Sequence, residues 1–191
     1  MKFNLISNKI AELDVDTIIL SCFMSNDSTN GLVHDTDIEL NGLISTILRR
    51  GDHEGKLREV TEIYTSGLIP AHRIILVGLG PENDFNEHCI RHAAAAAAMR
   101  ARQLGASKIA SIIHGVEQSK LSAKDAVRAA TEGTMLALYV FDKYKSENKL
   151  GSIESVSFIE PEDIQSEDLL AGIEQGNIIS NAVQLARDLV N

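Results

Sequence analysis

The stretch HRIILVGLG at 72–80 is the strongest constraint on this 191-residue chain. Its apolar residues run without interruption until glycines stop them. A strand with one wet face alternates polar and apolar residues, whereas a strand apolar at every position is buried on both faces. Burial on both faces needs a covering layer on each side of the sheet. That one segment therefore predicts helices above and below a sheet.

The rest of the chain supplies the parts. KFNLIS (2–7), DTIILSC (16–22), EVTEIYT (59–65), SKIASIIHG (107–115) and IESVSFIE (153–160) read as five further strands. An antiparallel pair is expected among the early strands. Helices are marked by their caps. Thr36 and Glu39 have the spacing of a capping box, followed by Leu40, Leu43, Ile44, Ile47 and Leu48, with Gly51 as the stop. Asn86 is placed to cap a helix with Ile90, Ala94, Ala97, Ala101 and Leu104 inward, ending at Gly105. The alanine run at 93–98 gives that helix high propensity and a smooth surface for close approach to a sheet. Ser122 and Asp125 open a third helix, with Val127, Ala130, Thr134, Leu138 and Phe141 inward. Ser166, with Glu167 and Asp168 near the positive helix end, starts the last one. Strands alternating with helices predict an α/β fold, a three-layer α-β-α sandwich on a mixed, mostly parallel sheet of about six strands.

The final helix carries Ile179, Ala182, Val183, Ala186, Leu189 and Val190 at helical spacing, with no stop signal before Asn191. The expectation is a helix that continues toward further chain. Hydrophobic content of 44% suffices for one sizeable core, and no apolar run reaches the length of a membrane span. No signal-peptide pattern opens the chain, and Cys22 and Cys89 do not form a disulfide framework, which fits a reducing compartment. A net charge of −9 opposes binding along a nucleic-acid backbone.

Candidate chemistry is sparse. VGLG (77–80) lacks the third glycine of a dinucleotide fingerprint and the lysine of a phosphate loop, so it reads as a tight turn. His88 and His92 stand four apart on one helix face, a spacing that suits zinc, but they lie opposite the buried stripe and lack a third ligand nearby. Cys22 with His34 could form a nucleophile and base, yet Cys22 ends an apolar strand, where cysteine behaves as a small hydrophobe. RRGDHEGK (49–56) reads as a helix exit, and His114 closes a strand without a neighbouring partner in sequence. In EGTMLALYVFDKYKS, Tyr144 and Lys145 are candidates for an interdomain or intersubunit contact.

Four strings, RRGDHEGK (49–56), RIILVGLG (73–80), EGTMLALYVFDKYKS (132–146) and ARDLVN (186–191), together resemble the N-terminal domain of the leucyl aminopeptidases, also called cytosol aminopeptidases. The resemblance covers nearly the whole chain. It implies a macro-domain-like body over residues 1–165 and a helix over 166–191 leading to a larger catalytic domain. It also implies that the full-length enzyme removes N-terminal residues from peptides with two divalent ions (zinc, manganese or magnesium) and assembles as a cytoplasmic hexamer. The family's metal-ligand segment N-T-D-A-E-G-R is absent from this sequence. No catalytic, cofactor-binding or metal residue is therefore carried over, and the expected role is architectural, with the chain's own catalytic domain and other subunits as partners. His53 stands where many relatives have an aromatic residue. The alternatives are a free-standing macro-type module that binds ADP-ribose and a regulatory interaction domain.

Overall fold

The computed structural model describes residues 1–7, 9–24, 31–116, 121–141, 151–161 and 164–190. Among these the strands are β1 (Lys2–Ile6), β2 (Thr17–Cys22), β3 (Val60–Tyr64), β4 (Arg73–Gly78), β5 (Lys108–Ser111) and β6 (Ser155–Ile159). The helices are α1 (Gly31–Glu39), α2 (Leu43–Arg50), α3 (Glu87–Gln103), α4 (Ala123–Leu138) and α5 (Ser166–Val190). The strands form one sheet in the order β1-β6-β5-β2-β4-β3. Neighbours are parallel except β3, which runs antiparallel to β4 at the edge. The antiparallel pair is thus β3–β4; β1 and β2 are separated by β6 and β5.

The central strands are buried on both faces, as their composition requires. In β2, Ile18 and Leu20 join Val33, Leu40 and Ile44 of the α1–α2 side, while Ile19 joins Ile90, Ala97, Val127 and Leu169 of the α3–α4–α5 side. β4 divides in the same way, Ile74 and Leu76 to one side and Ile75 and Val77 to the other. The result is the three-layer α-β-α sandwich.

Several local expectations are corrected. Thr36 opens no helix: it is buried inside α1, and its hydroxyl donates to the Leu32 carbonyl at 2.7 Å. The chain breaks at Asn41 and Gly42, both in the left-handed region (φ 55° and 79°). α2 is then capped from a distance. Asp37 Oδ1 accepts the Ile44 and Ser45 N–H groups at 2.7 and 3.2 Å, satisfying first-turn donors that Gly42 cannot. β5 ends at Ser111, short of 115, and α4 ends at Leu138, so Phe141 lies beyond the helix. The Ser122 and Asn86 caps form as expected, each accepting a backbone N–H, at 3.1 and 2.8 Å respectively. The Asp125 carboxyl is held below its ordinary range by the Ser122 hydroxyl and then by Arg128.

In α5 the apolar stripe read from the sequence lies mostly outward. Ile179, Ala182, Ala186, Leu189 and Val190 are exposed, and Val183 is half-buried. The buried line is Leu169, Gly172, Ile173, Gly176 and Ser180. Glycines permit this packing. A Cβ at Gly172 would lie 2.4 Å from the Lys124 carbonyl oxygen of α4, and one at Gly176 would lie 2.8 Å from Thr131 Cβ. α4 meets α3 in the same manner, with Gly133 placing its missing Cβ 2.3 Å from the Arg91 carbonyl oxygen. Beside that contact Glu132, 6% exposed at its side chain, receives Arg91 at 2.5 Å and Arg128 at 3.2 Å, and Glu87 receives the same two arginines. The charges thus fasten the two helices where their backbones touch.

Gly133→Ala is expected to lower unfolding free energy by about 1–3 kcal/mol, the usual cost of overpacking. That loss should appear despite the roughly 1 kcal/mol that alanine adds in helix propensity. Gly151→Ala, whose Cβ meets nothing nearer than 3.8 Å, should stay within about 0.5 kcal/mol. Denaturant midpoints at unchanged m-value measure both.

Candidate functional site

Open parallel sheets bind ligands in a crevice beyond the carboxyl ends of their strands. In this fold that edge is formed by the ends of β2, β4 and β5. Among the described residues the chain itself fills much of it. The loop after α2 lies across the ends of β2 and β4. Gly55, at φ 73°, brings its carbonyl to the Gly80 N–H at 2.9 Å, and Arg58 N–H donates to the Gly78 carbonyl at 3.1 Å. A Cβ on Gly78 would stand 2.0 Å from the Lys56 carbonyl oxygen. The glycines of VGLG therefore admit another stretch of this chain. Phe23 and Phe85 pack edge to face at 4.9 Å, and the Phe85 ring covers Gly115 so closely that a Cβ there would lie 2.2 Å away. The RRGDHEGK segment is accordingly more than a helix exit. Its His53 is buried, with Nδ1 hydrogen-bonded to Thr61 Oγ1 at 2.9 Å, and burial lowers its pKa against the opposing pull of Glu59.

Cys22, His34, His114 and the His88–His92 pair are the remaining candidates among the described residues. Burial, and secondarily Glu59, pushes the Cys22 thiol up to about 12, which keeps it protonated and unreactive at neutral pH. His34 lies exposed on α1. His114 is fully enclosed; desolvation lowers it to about 4, and its Nδ1 meets no protein partner among the described residues. Beside it is a cavity of about 10 Å³ bounded by Ser111, Thr134 and Phe158, room for one solvent molecule and far too small for a nucleotide. His88 and His92 do meet, Nε2 to Nε2 at 2.9 Å, on the outer side of α3. Among the described residues no three His, Cys, Asp or Glu side chains are grouped to hold a metal ion. No described helix is long and apolar enough to cross a membrane. Tyr144 and Lys145 lie outside the described residues.

The surface that stands out is the outer side of α5. Ile178, Ala182, Leu185 and Leu189 follow the 4-3-4 spacing of one helix face, and the three large ones are 62%, 61% and 80% exposed. Val190 beside them is 88% exposed. Monomer surfaces seldom leave such residues contiguous, and a stripe of this kind marks a surface meant to be covered. The helix is held firmly enough to present it. Gln184 Nε2 donates to the Met135 carbonyl at 3.1 Å, Arg187 to that of Leu136 at 3.2 Å, and the Tyr139 hydroxyl to Asp188 Oδ1 at 2.5 Å. Arg187 also lies over the Tyr139 ring at 5.5 Å. This polar clasp fixes the inward side of the helix and leaves the apolar stripe outward. The sequence shows the apolar content of this segment as one helix face; the contacts with α4 turn that face outward.

Comparison with known proteins adds a family. Residues 19–148 match the profile of the cytosol aminopeptidase family, N-terminal domain. A probable cytosol aminopeptidase of Alkaliphilus metalliredigens is 33% identical over 194 residues, an alignment covering 100% of this chain and 39% of that protein. The chain spans only 38–39% of the length of the first curated relatives it matches. Among solved structures, a tomato leucine aminopeptidase variant aligns over 100% of this chain and 38% of that one, at TM-score 0.80 and 23% identity. A Trypanosoma brucei macrodomain in complex with ADP-ribose covers 93% of this chain and 68% of that one, at TM-score 0.65 and 14% identity. At such identities the two structural likenesses speak for the fold alone.

His114 gives a pH dependence with a definite sign. Its folded pKa near 4 lies below the ordinary 6.5. The unfolded chain therefore takes up a proton that the folded one refuses, and stability present above pH 6.5 is lost as pH falls toward 4. The loss from this residue should reach about 3 kcal/mol by pH 4. Urea unfolding of His114→Gln should show a correspondingly shallower decline over that interval.

Proposed function

Because the chain belongs to the cytosol aminopeptidase family, as its N-terminal domain, we propose that it is the architectural, non-catalytic part of a longer metal-dependent aminopeptidase. In this reading residues 1–165 are the body and the helix over 166–191 is the connector. The outward stripe of Ile178, Leu185 and Leu189 packs on the catalytic part of the same protein. That stripe is the observation that carries the proposal. An apolar face held by a polar clasp gains from being covered, at roughly 25 cal/mol per Å² of apolar area removed from water. The relatives' length supports a covering segment, since each extends well beyond the part matched here.

The complete protein, in the same reading, is a cytoplasmic hexamer that removes N-terminal residues from peptides. Two divalent ions, zinc, manganese or magnesium, would polarise the scissile carbonyl and activate water. The described residues offer those ions no cluster, so their ligands are assigned to the catalytic part. This domain's task is to brace that part and shape contacts between subunits. The ADP-ribose alternative draws support from fold likeness alone, which does not place a ligand site.

Purified residues 1–191 with Mn²⁺ are expected to release no leucine from a leucyl anilide that the full-length protein cleaves. Release by the shorter chain would overturn the non-catalytic assignment. In the full-length protein, amide exchange over 178–190 should slow at least about tenfold relative to the 191-residue chain. The pair Leu185→Lys and Leu189→Lys should abolish that protection. Equal exchange in both proteins would exclude docking through α5.

A further inference from the structure

The two imidazoles on α3 meet outside the ion pairs that join α3 to α4. His88 sits in the first turn, where its N–H donates to the Asn86 cap, and His92 sits one turn later on the same side. Their Nε2 atoms are 2.9 Å apart, a hydrogen bond in which one ring's N–H donates to the other, with ring centroids at 4.3 Å and planes at 87°. His88 is exposed and His92 half-buried. Neither ring is drawn into the ion-pair network nearby. Glu87 points instead to Arg91 and Arg128, at 3.1 and 2.9 Å.

We propose that His88 and His92 form a bidentate surface site for a borderline divalent transition ion, Cu²⁺ or Ni²⁺, with water completing its coordination; the ion replaces the proton between the two Nε2 atoms, which moves to the ring's Nδ1 or to solvent. The distance favours this class. Imidazole nitrogens bind such ions at about 2.0–2.1 Å, so two of them 2.9 Å apart subtend about 90° at the ion. That is the angle between adjacent ligands in tetragonal or octahedral coordination. A tetrahedral ion would want its nitrogens nearer about 3.4 Å apart, given the same bond length. Tetragonal nitrogen and oxygen coordination is the preference of Cu²⁺ and Ni²⁺, which also stand high in the affinity order for imidazole. The helix supplies the preorganisation, because residues four apart project side by side from adjacent turns. The positive end of α3 and the Arg58 charge near His92 oppose a cation, which makes the site weaker than a closed structural one. This inference is independent of the proposed architectural role, since the pair lies on α3 and not on α5.

The test titrates the 191-residue chain with Ni²⁺ alone by calorimetry and records Cu²⁺ paramagnetic resonance spectra at one equivalent. The expected results are one saturable Ni²⁺ site per chain and a Cu²⁺ signal carrying two equatorial imidazole nitrogens. His88→Ala and His92→Ala should each weaken Ni²⁺ binding at least about tenfold and reduce the Cu²⁺ signal to one nitrogen or none. His34→Ala and His72→Ala should leave both unchanged. Unchanged circular dichroism and thermal midpoint would show that the variants fold. No saturable binding by the native chain, or binding retained in either single variant, would overturn the proposal.

Discussion

The close approach of α3, α4 and α5 through residues without side chains sets most of what this domain presents to its surroundings. Gly133 lets α4 touch the backbone of α3, and Gly172 and Gly176 let α5 touch α4. At these contacts there is no space for a Cβ, so the helices can rotate little about their axes. The rotation of α5 determines which of its residues face water. With its small residues inward, its larger aliphatic ones have nowhere to go but outward. The exposed stripe is thus a consequence of the same contacts that stabilise the layer. The Tyr139–Asp188 hydrogen bond and the donors from Gln184 and Arg187 hold the far end of the helix in that rotation.

The opposite end of the argument is the carboxyl edge of the sheet. A mixed α/β sheet of this order shares its fold with macrodomains, and the general rule would look for a ligand there. Over the described residues the protein uses that edge for itself. The Gly55–Lys56 turn lies where Gly78 has no Cβ, and Phe85 lies where Gly115 has none. The titratable groups there agree with a structural use of the region: buried His53 is tied to Thr61, and half-buried Cys22 is held as a neutral thiol. The same architecture can therefore carry either a binding crevice or a packed edge, and the difference lies in a few contacts that fold comparison does not register.

Electrostatics follow a similar division. The buried carboxylate of Glu132 is tolerable because two guanidinium groups reach it, while exposed pairs such as Lys56 with Glu54 contribute little in water. The pair His88–His92 stands apart from this network. It is a local product of helix geometry, and its spacing alone brought it to notice.

The sequence by itself determined the layers. Continuous apolar runs at β2 and β4 demand burial on both faces, and every strand and most helices were legible from period and caps because those signals are local. Its four motif strings also carried the family. Tertiary structure alone decided the rest, because the deciding partners are distant in the chain. Asp37 caps α2 from the preceding helix, which displaces the capping box that Thr36 and Glu39 suggested. Gly55 and Phe85 close the sheet edge against Gly78 and Gly115, whose spacing in sequence says only that a turn is allowed. In α5 both an aliphatic and a small-residue face have helical period, and hydrophobicity favours burying the former. Close backbone contact with α4 selected the latter, since van der Waals packing between helices depends on what lies opposite, and a single helix cannot encode its neighbour.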